Sequence, residues 1–133
     1  MAKKIAFKST IDGKEFSIPE KFYISLERAV EFLDSFDISE IILFGSCAKS
    51  CPRPRSDVDL LILFLDETQI DGRKIREARS ELFSYTPPVE LHFMSKEYFD
   101  NSRDYFAKKI RKEGVVIWQK HTKSSLTKII TSL

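Results

Sequence analysis

Residues 45 to 59 bring together side chains that suit the chemistry of phosphate groups. The stretch begins with Gly45 and Ser46, directly after an apolar run. Glycine lets the backbone approach a bulky anion closely, and the Ser46 hydroxyl and the N–H groups that follow it can donate hydrogen bonds to phosphate. The following loop carries three basic side chains that can offset the charge of a triphosphate: Lys49, Arg53 and Arg55. The stretch therefore predicts a turn that binds a nucleotide.

A pair of carboxylates closes the same stretch. Asp57 and Asp59 stand two residues apart at the start of an apolar run, so on a strand both side chains would face one side. Two carboxylates in this arrangement repel each other unless a cation lies between them, and Mg²⁺ prefers oxygen ligands. Glu90 is the candidate third carboxylate, because strand alternation points it away from Val89 and Leu91. The three predict a site for two Mg²⁺ ions, which could activate an attacking oxygen and stabilise a leaving pyrophosphate.

Each of these parts has an ordinary structural explanation when it is taken alone. An Asp-x-Asp pair at the start of a strand is often no more than two solvated carboxylates, and Gly-Ser is common in turns. The order of the parts is more specific: an apolar strand, Gly-Ser, a loop of ten residues, Asp-x-Asp and a second apolar strand. This order predicts a site of nucleotidyl transfer.

Hydrophobic periodicity predicts the elements that would position these residues. Short apolar runs predict four strands, at residues 41–44, 58–65, 89–93 and 115–118. Apolar residues at helical spacing predict three helices, which run from a Ser17 cap to about residue 36, over residues 70–83, and from a Ser95 cap to about residue 112. Two alternating segments on either side of Asp12-Gly13 predict a hairpin near the N-terminus.

Composition limits the class of protein. The chain has 133 residues, of which 42% are hydrophobic and 32% charged. These values fit one domain with a packed core and exclude a disordered or fibrous chain. No uncharged apolar run approaches the roughly 18 residues of a membrane span, and the first five residues lack the apolar region of a secretory signal. We therefore expect a cytoplasmic protein that does not contact the membrane.

Three segments of different character divide the chain. We expect an N-terminal hairpin extension at residues 1–18, a catalytic domain at residues 19–118 and a basic tail at residues 119–133. Between Arg103 and Lys128 there are 8 basic and 2 acidic residues, a local balance of +6. Such a region can attract phosphates or an acidic partner, or it can be a solvated helix face followed by a tail.

The two cysteines, Cys47 and Cys51, are four residues apart. A metal site needs more ligands than these two, and a disulfide is not expected in a reducing cytosol. We interpret both as ordinary residues.

The motif residues resemble the signature of the DNA polymerase beta-like nucleotidyltransferase superfamily. They are most similar to the minimal nucleotidyltransferases, whose pattern is Gly-Ser, then Ala-Arg-Gly, then Ser-Asp-hydrophobic-Asp-Leu. This sequence supplies Gly45, Ser46, Ala48, Ser56, Asp57, Val58, Asp59 and Leu60. The segment Glu113-Gly114-Val115-Val116-Ile117 also resembles the end of such domains. The likeness spans roughly residues 22 to 118, and it implies an α/β fold: a small mixed β-sheet with helices packed on one side.

Three positions depart from the family pattern. Lys49 replaces the usual arginine, which keeps the charge but loses the bidentate fork for phosphate. Ser50 replaces the usual glycine. Glu90 stands where aspartate is more common, and its extra methylene shifts the carboxylate by about 1.5 Å.

The resemblance implies a reaction and a partner. It implies Mg²⁺-dependent transfer of AMP from ATP to a hydroxyl, with Gly45 and Ser46 holding the β- and γ-phosphates. Asp57, Asp59 and Glu90 would bind the metal, with Glu90 also assisting deprotonation of the acceptor. Proteins of this kind often pair with a HEPN-domain ribonuclease and act as antitoxins by placing AMP on a tyrosine of the toxin. The alternatives are an enzyme that modifies a small hydroxylated molecule, such as an aminoglycoside, and a silent subunit that neutralises its partner by contact alone. Nucleic acid is not expected among the partners.

Overall fold

Two β-sheets and four helices make up the described part of the chain. The structure, a computed structural model, describes residues 3–66, 71–122 and 125–129. In chain order the elements are β1 Lys4–Ser9, β2 Glu15–Pro19, α1 Glu20–Leu33, β3 Glu40–Phe44, β4 Val58–Phe64, α2 Gly72–Phe83, β5 Val89–Ser95, α3 Lys96–Asn101, α4 Tyr105–Glu113, β6 Val115–Gln119 and β7 Leu126–Lys128. The four predicted strands correspond to β3 to β6. Of the helix predicted at 70–83, residue 70 lies outside the described residues. Within those residues, no helix has the length and apolar character needed to cross a membrane.

The larger sheet is mixed, with strand order β5-β4-β3-β6. β4 runs parallel to β5, and their register places Asp59 opposite Glu90. β3 is antiparallel to β4 and pairs Phe44 with Asp59, and β6 is antiparallel to β3. The sheet therefore brings the end of β3, the start of β4 and the start of β5 to one place.

Helices cover both faces of this sheet. On one face, α1 and α2 pack on β3 to β6 in a core that includes Leu26, Leu60 and Leu82. On the other face, α3 and α4 contribute Phe99, Ala107 and Ile110, which pack against Ile42, Leu61 and Leu63. The mixed α/β fold is thus confirmed, but the prediction of helices on one side describes only α1 and α2. β3 and β4 carry apolar side chains on both faces of the sheet. Helices must therefore pack on each face to bury them.

The helix predicted from Ser95 to about residue 112 is in fact two helices. Asp104 caps α4 by accepting a hydrogen bond at Oδ1 from the Phe106 N–H (2.9 Å). The Arg111 guanidinium donates to the carbonyl of Phe99 and to that of Ser102 (2.7 Å). These bonds satisfy carbonyls that the end of α3 leaves without helical partners, so the chain can bend here.

The smaller sheet has strand order β2-β1-β7. The predicted hairpin is confirmed as β1 and β2, and its Phe7, Phe16 and Ile18 belong to the same core as α1. Part of the predicted tail forms β7, which pairs with β1, while residues 123–124 and 130–133 lie outside the described residues. The division at residues 18 and 118 remains a prediction.

The start of α1 differs from the prediction of a Ser17 cap. Ser17 lies in β2, and its N–H donates to Ser50 Oγ (2.7 Å). α1 begins after Pro19, which makes no side-chain cap. Proline suits this place because it has no N–H that would need a partner.

The turn of the hairpin is fixed to the junction of α4 and β6. Lys14 Nζ donates to the carbonyls of Lys112 (3.1 Å) and Gly114 (2.8 Å). The Val116 N–H donates to Asp12 Oδ2 (2.8 Å). A lysine at the carbonyl end of a helix is also favoured by the helix dipole. The hairpin therefore helps to hold α4 in place.

Candidate active site

Side chains of β4 and β5 converge at one edge of the larger sheet. Ligand atoms of Asp59, Glu90 and His92 all lie within 4.8 Å of one another. This follows from the parallel register, because Asp59 and Glu90 are paired neighbours and His92 shares the face of Glu90. The side-chain exposure is 48% for Glu90 and 36% for His92. The cluster is therefore open to solvent on the β5 side.

The electrostatics of Asp59 favour a cation beside it. Burial raises the pKa of Asp59 to about 6, and the negative charges of Glu90 and Asp57 act in the same direction. Carboxylates that repel each other in this way are stabilised when a divalent cation neutralises them. The donor set of this site therefore fits Mg²⁺, and Asp57 contributes charge although it stands outside the 4.8 Å cluster.

Gly45 touches this cluster directly. Its φ is +75°, and a Cβ added there would lie 2.6 Å from Asp59 Oδ2. The chain then makes a single turn, in which the Lys49 N–H donates to the Gly45 carbonyl (3.2 Å) and the Cys51 N–H to the Ser46 carbonyl (2.9 Å). The predicted Gly-Ser turn thus adjoins the carboxylates.

A pocket of about 550 Å³ lies between this turn and α4. Its lining includes Gly45, Ser46, Lys49 and Arg53 from the predicted set. The opposite wall comes from α4, through residues that include Tyr105, Phe106, Lys109 and Glu113. The pocket thus presents both basic and aromatic groups beside the Gly45 turn.

Lys49 forms an ion pair across this pocket. Its Nζ lies 3.0 Å from Glu113 Oε1 at the end of α4. The contact with Lys49 lowers the pKa of Glu113 below its usual range. This ion pair joins the two walls of the pocket.

The structure places the remaining predicted residues less close to the cluster. Arg55 is exposed in the loop and is not part of the pocket lining. Both cysteines are free thiols, so no disulfide joins them. Cys47 is buried, and its burial raises the thiol pKa to about 12.

Sequence reasoning missed His92 and the aromatic groups around it. The imidazole contacts the rings of Phe44 (centroids 5.3 Å apart) and Phe106 (5.7 Å). The signal for His92 was present in the alternation of β5, which puts it on the face of Glu90. Phe106 borders the pocket from α4, which begins at Tyr105 after the bend.

Comparison with known families agrees with this geometry. Residues 27–123 match the family described as polymerase beta, nucleotidyltransferase. Since the match covers most of the chain, the protein belongs to this nucleotidyltransferase family. The carboxylate cluster and the Gly-Ser turn both fall within the matched residues. No curated protein sequence gave a significant match.

Solved structures show the same fold at low sequence identity. A protein of Sulfolobus solfataricus that is assigned as a nucleotidyltransferase is 20% identical, with a TM-score of 0.55, covering 80% of this chain and 89% of its own. A toxin-antitoxin with AMP-PNP is 16% identical, with a TM-score of 0.51, covering 74% and 73%. A mutant of the toxin-antitoxin MntA-HpeT is 14% identical, with a TM-score of 0.50 and the same coverage.

Proposed function

We propose that this protein transfers AMP from ATP, with Mg²⁺, to a hydroxyl group of a partner toxin. The observation that carries the proposal is the convergence of Asp59 and Glu90 beside the Gly45 turn, which also lines a pocket of about 550 Å³. Membership of the nucleotidyltransferase family supports the class of reaction.

The pocket would hold the donor nucleotide. The N–H groups of the turn and the Ser46 hydroxyl donate to the β- and γ-phosphates. Lys49 and Arg53 lie on the pocket wall and would neutralise phosphate charge, with Arg55 reaching in from the exposed loop. The rings of Tyr105 and Phe106 on α4 offer a flat apolar surface on the opposite wall.

The carboxylates would hold Mg²⁺. Asp59 and Glu90 are the principal ligands, with Asp57 as the further carboxylate of the predicted set. When bound, the metal would stabilise negative charge on the attacking oxygen and on the leaving pyrophosphate. Glu90 is also the exposed member of the pair, so it can accept the proton of an acceptor hydroxyl that approaches from solvent.

The acceptor would be a protein. Two structures with this fold are named as toxin-antitoxins, and the open side of the cluster at Glu90 leaves room for a residue of a second chain. We propose a tyrosine of a HEPN-domain toxin as the acceptor. The excess of basic residues between Arg103 and Lys128 would attract an acidic partner, so binding should weaken as salt rises.

The test is to incubate the protein with its partner toxin, ATP and Mg²⁺ and to measure the mass of the toxin. We expect the toxin to gain one AMP unit on a tyrosine. Glu90→Gln should reduce the transfer rate about 100-fold or more while ATP still binds, and Glu97→Gln, an exposed carboxylate of α3, should leave it unchanged.

Two outcomes would contradict this assignment. Neutralisation of the toxin without any mass gain would identify a silent binding subunit. Efficient adenylation of an aminoglycoside by the protein alone would identify a small-molecule enzyme.

A further inference from the structure

His92 extends the carboxylate cluster by a nitrogen atom. Its Nε2 lies 3.7 Å from Glu90 Oε1. Ligand atoms of Asp59, Glu90 and His92 lie within 4.8 Å of one another. Donor atoms around a bound ion stand about 3 to 4 Å apart when each metal–ligand bond is about 2.1 Å. Side-chain adjustments of about an ångström would therefore complete a site of three donors.

Aromatic packing fixes the direction of the imidazole. The ring meets Phe44 edge-on, at 64° between planes, and lies at 51° to the ring of Phe106. Phe44 and Phe106 also meet each other, with centroids 5.5 Å apart and planes at 89°. An imidazole that packs against two rings loses little further rotational freedom when it binds an ion. The donor is thus oriented before any ligand arrives.

The chemistry of the donors decides which ion fits. Mg²⁺ takes oxygen ligands and gives up water reluctantly. Imidazole nitrogen suits softer ions of the first transition row, and two carboxylates with one imidazole form a donor set that Zn²⁺ and Co²⁺ accept. Nothing in Mg²⁺ chemistry requires His92, whereas a transition ion gains a bond from it.

We infer that His92 is a metal ligand which gives the Asp59–Glu90 site added affinity for a Zn²⁺- or Co²⁺-type ion without changing its affinity for Mg²⁺. The inference rests on the proposed function, because it adopts the placement of a metal at Asp59 and Glu90. Mg²⁺ binds there through the carboxylates alone. The identity of the bound ion thus depends on a residue that lies outside the Gly-Ser and Asp-x-Asp motifs.

The test is a titration of the full metal-free chain with Co²⁺, followed by visible absorption, with Mg²⁺ as competitor. We expect His92→Gln to weaken Co²⁺ binding about tenfold or more and to change the absorption spectrum, while Mg²⁺ binding stays within about twofold. His92→Phe keeps an aromatic ring packed against Phe44 and Phe106 without a nitrogen donor, so it should weaken Co²⁺ binding to the same extent. The matched control is His121→Gln, which alters the only other histidine in the sequence and should change nothing.

The variants separate a failure of this inference from a failure of the proposed function. If Asp59→Asn and Glu90→Gln weaken the binding of both ions while His92→Gln and His92→Phe bind Co²⁺ like the unchanged protein, the role of His92 is wrong and the carboxylate site stands. If Asp59→Asn and Glu90→Gln leave the binding of both ions unchanged, the metal site itself is wrong, and the proposed function falls with it.

Discussion

The Asp59 carboxylate occupies the space that a side chain at Gly45 would need. An added Cβ would lie 2.6 Å from Asp59 Oδ2, and the φ of +75° already disfavours other residues. The glycine of the Gly-Ser motif therefore serves the carboxylate cluster as well as any bound phosphate. β3 and β4 impose this closeness, because their register pairs Phe44 with Asp59.

Gly45→Ala should damage both stability and metal binding. The positive φ costs about 1 kcal/mol of folding free energy, and the methyl group must displace Asp59. Gly13→Ala is the matched control, since its φ is +76° with nothing within 4 Å of an added Cβ. Urea unfolding should show a loss of stability in both variants. A Mg²⁺ titration should show weaker binding only for Gly45→Ala. Equal Mg²⁺ affinity in the two variants would contradict the contact.

Asp59→Asn should stabilise the metal-free fold at neutral pH. The folded-state pKa of Asp59 is about 6, above the usual value of 3.8. The folded chain therefore binds this proton more tightly, so the contribution of Asp59 to stability is greatest below pH 3.8 and is lost as pH rises through 6. Asparagine does not titrate and so avoids that loss. We expect the free energy of unfolding at neutral pH to rise by about 1 kcal/mol once solvent screening is allowed for.

Urea unfolding at pH 4 and pH 7.5 checks this effect, and the gain should appear only at the higher pH. Saturating Mg²⁺ should cancel it, because the ion stabilises the charged carboxylate. A gain of equal size at both pH values would rule out titration of Asp59 as its cause.

Glu113→Gln should strengthen ATP binding. Lys49 now pairs with Glu113 at 3.0 Å, and an uncharged partner would release the lysine toward phosphate. Because exposed ion pairs are weak, we expect an improvement of about two- to fivefold in affinity, measured by calorimetry. The control is Glu77→Gln, which breaks the surface pair with Arg73 on α2 away from the pocket. Weaker ATP binding in Glu113→Gln would mean that the ion pair holds the pocket open rather than competing with the nucleotide.

Lys14→Met should destabilise α4 and, through it, the pocket. The ammonium bridges the carbonyls of Lys112 and Gly114, and the loss of such charged hydrogen bonds costs about 1 to 2 kcal/mol. Lys8→Met, at an exposed position of β1, should change stability by less than about 0.5 kcal/mol. Amide hydrogen exchange in α4 should become faster in the Lys14 variant alone. Unchanged protection of α4 in that variant would show that the hairpin does not stabilise this wall of the pocket.

Much of the fold could be predicted because local patterns agree with the tertiary structure. The runs that became β3 to β6 are short and apolar, and Asp12-Gly13 is a strong turn signal. The bend between α3 and α4 was harder to predict, because it depends on Arg111, which reaches carbonyls 9 and 12 residues earlier. β7 was missed for a similar reason, since its three residues form a strand only by pairing with β1.

The candidate site was predictable where the motif is contiguous. Gly45 and Asp59 lie in one stretch, and Glu90 could be found by strand alternation. The pairing of Lys49 with Glu113 joins residues 64 positions apart. No local sequence pattern at either residue indicates that the two form an ion pair. The contacts of His92 with Phe44 and Phe106 likewise join three elements, so only the packed structure reveals them.

The pairing of β1 with β7 has a consequence for the order of folding. Lys8 is the register partner of Thr127, so the chain as far as Thr127 must leave the ribosome before this edge of β1 can be covered. Contacts between such distant residues form late. Until then the hairpin presents an unpaired edge, which is the feature that promotes aggregation between nascent chains. Truncation before Leu126 would make that exposure permanent and should lower the soluble yield.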